Sequence, residues 1–253
     1  MDSEIFDRNT LFWGKDNQNI LKTKNIAVFG LGGVGGYCAE TLARAGICNL
    51  TIIDFDKVSQ SNINRQIIAL NSTIGEKKTD LFKNRLKDIN PDINIRVIDD
   101  FYNNEEIIFD FTNEKYDYVA DAIDTMRSKI SLLENCYKNN IPVISSMGAG
   151  NRIDPTKLYI SDIKDIENKN APFVSNVIYQ LKKLGITEGI TVVTSREKPF
   201  VQNKITENEK IITNSGLEIE FNKIIPSSTP FVAPVAGIYM AYHIVNSLIK
   251  EFK

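Results

Sequence analysis

Short apolar runs alternate with amphipathic stretches over the first half of the chain. The runs at 25–30, 50–54, 94–99, 118–121 and 142–145 are rich in branched and aromatic residues, which predicts buried strands. The stretches at 34–45, 77–89 and 128–138 have helical character, and Gly46 and Pro91 follow the first two as stop signals. Strands that alternate with helices predict an α/β fold: a doubly wound, mostly parallel, Rossmann-like sheet with ligand sites at the carboxyl ends of its strands.

The pattern changes after Asp154-Pro155. Strands are predicted at 159–162 and 190–194, with a helix at 173–184 between them and a final helix at 235–249. The polar stretch 197–223 is typical of a loop or a hairpin. We predict a single domain over residues 1–253, in which 155–253 form a C-terminal α+β elaboration on a core at 1–154.

Composition and charge narrow the class of protein. The chain has 30 Lys and Arg residues and 32 Asp and Glu residues, so it has no overall positive charge that would attract nucleic acid. A local basic patch is still compatible with this composition. Three cysteines without a CxxC pair exclude a disulfide framework and a four-cysteine zinc site. The acidic start MDSEIFDRNT does not resemble a signal peptide, and no apolar stretch approaches the roughly 20 residues of a membrane span. We therefore expect a cytoplasmic protein.

A glycine-rich loop follows the first predicted strand and opens the next helix. Its glycines let backbone N–H groups and a helix N-terminus approach phosphate oxygens closely: Gly30, Gly32, Gly33 and Gly35. Asp54 ends the second predicted strand, 19 residues after Gly35, where a carboxylate can bind ribose hydroxyls. This pattern suits NAD as well as ATP.

Further polar residues favour ATP. Arg65 and Lys78 are cations that a triphosphate needs as pyrophosphate leaves, whereas hydride transfer leaves them unexplained. Asp124 follows the strand at 118–121 and is a candidate ligand for Mg²⁺. The remaining members of the predicted nucleotide site are Asp56, Asn64 and Gln66. Adenylation is the predicted chemistry, with an NAD oxidoreductase as a distant alternative.

In order and spacing, the glycine loop, IIDFD, SNINRQ, GEKK and AIDT resemble the ubiquitin-activating enzyme-like (ThiF/MoeB/HesA) superfamily of adenylating proteins over roughly residues 8–150. The resemblance implies that Asp54 binds ribose, Arg65 and Lys78 contact phosphates, and Asp124 positions magnesium. It also implies that Arg8 reaches the ATP of a partner subunit, and hence a homodimer with composite sites.

The cysteines separate branches of this superfamily. Activators of sulfur-carrier proteins usually carry two CxxC pairs and ubiquitin activators a catalytic cysteine, whereas Cys38, Cys48 and Cys136 are expected to be small packed hydrophobes. The stretches INRQIIALNSTIGEKK, AIDTMRSKISLL, SMGAGNRIDPTKLYISDI and SSTPFVAPVAG resemble the tRNA threonylcarbamoyladenosine dehydratases. That resemblance implies ATP-dependent adenylation of the threonylcarbamoyl carboxylate on a tRNA adenosine, followed by ring closure. It makes 1–154 the nucleotide-binding core and 155–253 the part that faces tRNA.

Contacts with the substrate are predicted from the positions of residues after Asp124 and from the need to exclude water from the acyl-adenylate. Arg127 and Lys129 are expected near the substrate carboxylate, and the loops at 146–153 and 227–237 are expected to exclude water. Relatives carry several basic residues in the segment matching 171–186, whereas this chain has only Lys182 and Lys183 to hold tRNA there. A monovalent cation and a partner from a sulfurtransferase system are further candidates. The open alternatives are adenylation of the C-terminal glycine of a ubiquitin-like sulfur-carrier protein and a module that senses ATP without chemistry.

Overall fold

The computed structural model describes residues 4–102, 115–200, 206–212, 216, 218–224 and 226–250. Its strands are β1 (Asn25–Phe29), β2 (Asn49–Ile53), β3 (Asn94–Ile98), β4 (Tyr118–Asp121), β5 (Val143–Ser146), β6 (Leu158–Asp162), β7 (Thr191–Ser195), β8 (Thr206–Ile212) and β9 (Glu218–Ile224). Its α-helices are α1 (Asp7–Thr23), α2 (Gly35–Ala45), α3 (Lys78–Ile89), α4 (Met126–Lys138), α5 (Pro172–Lys183) and α6 (Val232–Leu248).

Seven strands form one sheet in the order β3-β2-β1-β4-β5-β7-β6. All neighbours in it are parallel except β6, which runs antiparallel to β7 at the edge of the sheet. The predicted doubly wound, mostly parallel fold is therefore confirmed. The stretch predicted as a loop or hairpin contains the antiparallel pair β8 and β9.

The helices cover both faces of the sheet. Residues of α2, α3 and α6 build one apolar cluster, in which Leu42, Phe82 and Met240 are fully buried. Residues of α4 and α5 build the other, around Leu132 and Val174. Each fully buried side chain of this size contributes about 1.5–3 kcal/mol relative to an exposed one, so these clusters hold the sheet and its loops in place.

Two elements differ from the sequence prediction. The helix α1 was not predicted; its axis bends at Gly14, which has φ 83°, and Leu21 anchors its second half in the core. The last helix begins at Val232 rather than 235, because Pro234 fits the first turn, where no N–H is needed for the helix ladder. Among the described residues, no helix combines the length and apolarity that a membrane span requires.

Parallel pairing decides where a site can form. The strands β1, β2, β4 and β5 all end at one edge of the sheet, here called the carboxyl edge, and the opposite edge is called the amino edge. Loops that leave Phe29, Ile53, Asp121 and Ser146 are thus brought side by side, although they lie far apart in the sequence.

Candidate active site

The glycine loop is packed tightly at two positions and open at a third. A Cβ at Gly35 would lie 1.8 Å from the carbonyl oxygen of Gly30, and one at Gly30 would lie 2.9 Å from that of Ala122. A Cβ at Gly32 would meet only Nε2 of Gln66, at the ordinary contact distance of 3.8 Å. Packing therefore explains Gly30 and Gly35, whereas Gly32 borders free space beside the loop.

Asp54 is held at the end of β2 by backbone donors. Its Oδ2 accepts from the N–H of Leu31 at 2.5 Å, and its Oδ1 accepts from the N–H of Asp56 at 2.8 Å. Burial raises the pKa of Asp54 above its ordinary value, and the neighbouring Lys78 only partly offsets this. The carboxylate is thus fixed against the glycine loop, and its remaining lone pairs are available to a hydroxyl ligand.

Lys78 is a buried cation next to two aspartates. An isolated bridge between Lys57 and Lys77 brings the start of α3 beside Asp56. The Lys78 Nζ lies 2.6 Å from Oδ2 of Asp56 and 4.0 Å from Oδ1 of Asp54. Burial lowers the pKa of Lys78, but the two aspartates raise it by more, so the amine stays protonated.

Arg65 is oriented by its own loop. Its Nη1 donates to the carbonyl oxygen of Ser61 and to Oδ1 of Asn64, both at 2.9 Å. Asn64 in turn donates from Nδ2 to the carbonyl oxygen of Ser228 at 2.9 Å. Burial lowers the pKa of Arg65, and the negative charge of Asp124 opposes that shift. The guanidinium keeps its charge, as arginine does in proteins.

Gln66 has an unsatisfied acceptor in a buried position. The residue is 7% exposed, and its Oε1 has no hydrogen-bond partner. An unpaired buried acceptor costs about 1–3 kcal/mol, which a donor from a ligand would relieve. Its Nε2 faces the open space at Gly32.

Asp124 lies exposed on the turn between β4 and α4, and its charge acts on both Arg65 and Lys78. Arg127, also exposed, follows in the first turn of α4. Within the described part of the chain, no group of three or more acidic, histidine or cysteine side chains could hold a metal ion alone. A magnesium ion at Asp124 would need phosphate oxygens and water as further ligands, which is its usual mode with nucleotides.

Lys129 does not face a substrate. Its side chain is fully buried, with Nζ 2.5 Å from Oδ2 of Asp121 and 3.0 Å from Oγ of Ser145. Ser145 also donates to the same aspartate oxygen at 2.6 Å. The expectation that Lys129 lies near the substrate carboxylate is therefore wrong, because its position in α4 points it under the carboxyl ends of β4 and β5.

Lys182 and Lys183 are exposed in the last turn of α5, but far from the glycine loop. The helix leads into β7, whose first residue Thr191 pairs with Ile144 of β5 and with the last residue of β6. Both lysines thus lie towards the amino edge of the sheet, with Lys183 over the ring of Tyr179 at 4.3 Å. The structure does not bring them together with the other predicted site residues.

Arg8 also lies away from the glycine loop of its own chain. It is exposed in the first turn of α1, two residues after the buried Phe6. Phe6 packs 3.6 Å from the position of a Cβ at Gly46, which ends α2 at the amino edge. Within one chain, therefore, Arg8 does not join Arg65 and Lys78.

Two loops close one side of the site, and the residues that join them were not predicted from the sequence. The loop after β5 and the segment that enters α6 are joined through Asn151, which has φ 59° and accepts two hydrogen bonds from Ser227. Beneath them, the buried Arg152 donates to the carbonyl oxygens of Gly148 and Gly150. The signal in the sequence was Gly150-Asn151, because asparagine tolerates the left-handed region better than most residues.

The cysteines match the expectation of packed side chains in two of three cases. Cys38 and Cys136 are fully buried, and burial raises the pKa of both thiols far above the ordinary range. Cys48 is half-buried, with Sγ 3.6 Å from the carbonyl oxygen of Gly46 at the amino edge. None of the three is an exposed thiol at the carboxyl edge, where a covalent intermediate would form, because Cys38 in the first turn of α2 is buried.

The chain is similar to a known family over nearly its whole length. The model of the ThiF family matches residues 6–250. The chain belongs to the ThiF family. Its glycine loop, Asp54, Arg65, Lys78 and Asp124 all fall within the matched range.

Two kinds of relative differ in how much of this chain they match. The chain is 42% identical to a tRNA threonylcarbamoyladenosine dehydratase of Bacillus subtilis, over 98% of this chain and 96% of the relative. It is 33% identical to a molybdopterin-synthase adenylyltransferase of Escherichia coli, but over 55% of this chain and 54% of that relative. The first similarity extends through the C-terminal part, whereas the second is limited to about half of each protein.

Solved structures give the same pattern. The tRNA N6-threonylcarbamoyladenosine dehydratase of Escherichia coli in complex with AMP superposes with a TM-score of 0.83 and 28% identity, covering 97% of this chain and 94% of that one. The same enzyme in complex with ATP gives a TM-score of 0.83 over 97% and 93% of the two chains. The fold of this chain, including its C-terminal elaboration, is thus that of an ATP-binding member of the ThiF family.

Proposed function

We propose that this chain is an ATP-dependent dehydratase that adenylates the carboxylate of a threonylcarbamoyl group on a tRNA adenosine and promotes its cyclisation. The observation that carries the proposal is the set of Asp54, Lys78, Arg65 and Asp124 around an open glycine loop. It is supported by the 42% identity to a dehydratase of that name over nearly the whole of both chains. The shorter match to the molybdopterin-synthase adenylyltransferases makes adenylation of a sulfur-carrier protein the weaker alternative.

Two features of the site fit ATP. The space at Gly32 admits a group within contact distance of the loop backbone, and Nε2 of the buried Gln66, a hydrogen-bond donor, borders that space. In the proposed arrangement Asp54 accepts from the ribose hydroxyls, and Arg65 and Lys78 bind the phosphates. Mg²⁺, bound by Asp124 with phosphate oxygens and water, would neutralise charge on the pyrophosphate as it leaves.

The proposed reaction requires no nucleophile from the protein. Attack of the substrate carboxylate on the α-phosphate forms an acyl-adenylate and releases pyrophosphate. An oxygen or nitrogen already in the threonylcarbamoyl group then attacks the activated carbonyl, closes the ring and expels AMP. Proximity makes this step effectively unimolecular, which agrees with burial of Cys38 and Cys136. Arg127, exposed one turn after Asp124, is the proposed cation for the substrate carboxylate.

We further propose that the enzyme works as a homodimer with composite sites. Arg8, Leu11 and Phe12 share one face of α1, and the two apolar side chains are 86% and 70% exposed. Tyr242 of α6 is also exposed, at 61%. A second copy seated on these apolar groups would bury them and bring Arg8 to the partner's phosphates.

The remaining elements of the proposal concern the domain and the RNA. Residues 1–253 act as a single adenylating domain, with 1–154 binding nucleotide and 155–253 facing tRNA. Lys182 and Lys183 would contact RNA at the amino edge, away from the reacting group. Three further parts of the proposal rest on the sequence: a monovalent cation and partners from a sulfurtransferase system, from the resemblance, and a cytoplasmic location, from the acidic start and the lack of a long apolar stretch.

The test is a nucleoside assay on tRNA. tRNA that carries the linear threonylcarbamoyl nucleoside is incubated with enzyme, Mg²⁺ and ATP, digested, and analysed by mass spectrometry. We expect conversion to a nucleoside lighter by one water, with AMP formed, and no conversion without ATP or with Arg65→Ala. Persistence of the linear nucleoside while the enzyme catalyses pyrophosphate exchange with a sulfur-carrier protein would replace the proposal with the alternative.

A further inference from the structure

Three loops that come from distant parts of the sequence meet beside the glycine loop. They are the loop after β5 at 147–154, the segment entering α6 at 226–231, and the loop at 61–66 that carries Arg65. A Cβ at Gly33 would lie 3.1 Å from Cγ of Arg65 and 3.3 Å from Cβ of Ala233 at the start of α6. The loop at 61–66 and the start of α6 therefore border the space that the phosphates of ATP would occupy, and the loop after β5 is joined to the segment that enters α6.

Asn151 is the point where these loops are joined. Its Oδ1 accepts from the N–H of Ser227 at 2.8 Å and from the hydroxyl of Ser227 at 2.9 Å, and its own N–H donates to the carbonyl oxygen of Ser227 at 2.8 Å. Its carbonyl oxygen accepts from the N–H of Phe200 at 2.7 Å. Because Asn151 makes four hydrogen bonds in a left-handed conformation, its contacts with Ser227 and Phe200 hold all three residues in place.

The hydrogen bonds between Asn151 and Ser227 are connected to Arg65 through Ser228 and Asn64. Next to Ser227, the carbonyl oxygen of Ser228 accepts from Asn64, whose Oδ1 accepts from Arg65. An uninterrupted series of hydrogen bonds and peptide links thus connects Asn151 to the arginine proposed to bind phosphate. The loops are also in close contact, since a Cβ at Gly150 would lie 2.6 Å from Cβ of Pro226.

We propose that Asn151 is a positioning residue that holds the wall between these loops closed and so keeps water from the acyl-adenylate. The proposal rests on the proposed function. The acyl-adenylate has two fates: the substrate's own nucleophile attacks, expels AMP and forms the ring, or water attacks, expels AMP and regenerates the carboxylate. Each fate consumes one ATP and yields AMP and pyrophosphate, so the number of rings formed per AMP measures how well the wall excludes water.

The experiment compares variants of the contact between Asn151 and Ser227 with one control variant outside it. Asn151→Gly keeps the left-handed φ but removes both side-chain hydrogen bonds, whereas Asn151→Asp keeps the accepting oxygens. Asn140→Gly is the matched control, because Asn140 also has a left-handed φ, 53°, but lies exposed after α4 at the amino edge. AMP and cyclised nucleoside are counted in the same reaction, with thermal unfolding as a check of the fold.

We expect Asn151→Gly to lower the ring-to-AMP ratio by about threefold or more, since two hydrogen bonds of ordinary strength are lost from the closed wall. Asn151→Asp and Asn140→Gly should keep the wild-type ratio, and Ser227→Ala, which removes one of the two bonds, should give an intermediate ratio. A wild-type ratio in both Asn151→Gly and Ser227→Ala would overturn the role of Asn151. Absence of tRNA-dependent AMP formation in the wild-type enzyme would instead overturn the proposed function.

Discussion

Substitution of Gly32 by alanine tests the phosphate loop without disturbing the fold. The added methyl group would have Nε2 of Gln66 as its nearest neighbour, 3.8 Å away, and the backbone at Gly32 is outside the left-handed region. The free energy of unfolding should therefore be unchanged or rise by up to about 1 kcal/mol, because alanine restricts the unfolded chain more than glycine does. The methyl group would, however, occupy the approach to the loop N–H groups.

We expect Gly32→Ala to bind nucleotide more weakly than the wild type. A hydrogen bond to a charged group contributes about 1.5–3 kcal/mol, and loss of one such bond to a phosphate corresponds to about 10- to 150-fold weaker binding. Calorimetric titration with a non-hydrolysable ATP analogue measures this, and thermal unfolding measures stability in the same preparation.

Gly35→Ala is the contrasting variant. Its Cβ would lie 1.8 Å from the carbonyl oxygen of Gly30, so the backbone of the loop must move, and overpacking of this kind costs at least about 1–3 kcal/mol. We expect Gly35→Ala to unfold at a lower temperature and Gly32→Ala to unfold as the wild type does. Wild-type affinity for the ATP analogue in Gly32→Ala would refute the assignment of this loop to phosphate.

Three further outcomes follow from the structure. Arg8→Ala and Arg65→Ala should each be inactive, but a mixture that exchanges subunits should recover about one quarter of wild-type tRNA cyclisation, because half of the dimers then contain one complete site; no recovery would exclude composite sites. Lys129→Met leaves a buried aspartate unpaired and should lower the free energy of unfolding by about 3–5 kcal/mol in urea titrations. Burial raises the pKa of Glu40, but its bonds to arginines, chiefly Arg85, lower it below the ordinary value of 4.5 overall. This contribution to stability is present above pH 4.5 and is lost as the pH falls through the pKa of the folded state, so acid titrations should show a smaller loss in Glu40→Gln than in the wild type.

The sequence predicted most of the sheet and the residues that follow its strands. Short apolar runs that end at a glycine or an aspartate locate both the strands and the carboxyl edge, so Asp54 and Asp124 could be assigned to one site before the topology was known. The helix α1 was missed because 7–23 is rich in polar residues and is interrupted by Gly14, so helical periodicity is weak there. Its place is set by packing of Phe6 and Leu21 instead.

The residues that the sequence misplaced depend on contacts between distant segments. Lys129 follows Asp124 closely and looks like a surface cation in a helix, but Asp121 at the end of β4 and Ser145 on β5 draw it inward. Asp121 precedes Lys129 by only eight residues, but Ser145 is brought beside Asp121 only by the pairing of β4 with β5. Asn151 escaped notice for the same reason, since its partners lie 49 or more residues away.

The net charge of the site explains why a metal ion and a second subunit would help it to bind phosphate. Among the described residues, three carboxylates and two cations interact with one another beside the glycine loop: Asp54, Asp56, Asp124, Arg65 and Lys78. When all are ionised their net charge is −1, which by itself does not attract a nucleotide triphosphate. Lys78, moreover, is already paired with Asp56 at 2.6 Å, so a phosphate must compete with that carboxylate. A divalent cation at Asp124 would bring the net charge of these groups to +1, and an arginine from a second copy would bring it to +2, so in the proposed arrangement phosphate binding depends on these added charges rather than on the glycine loop alone.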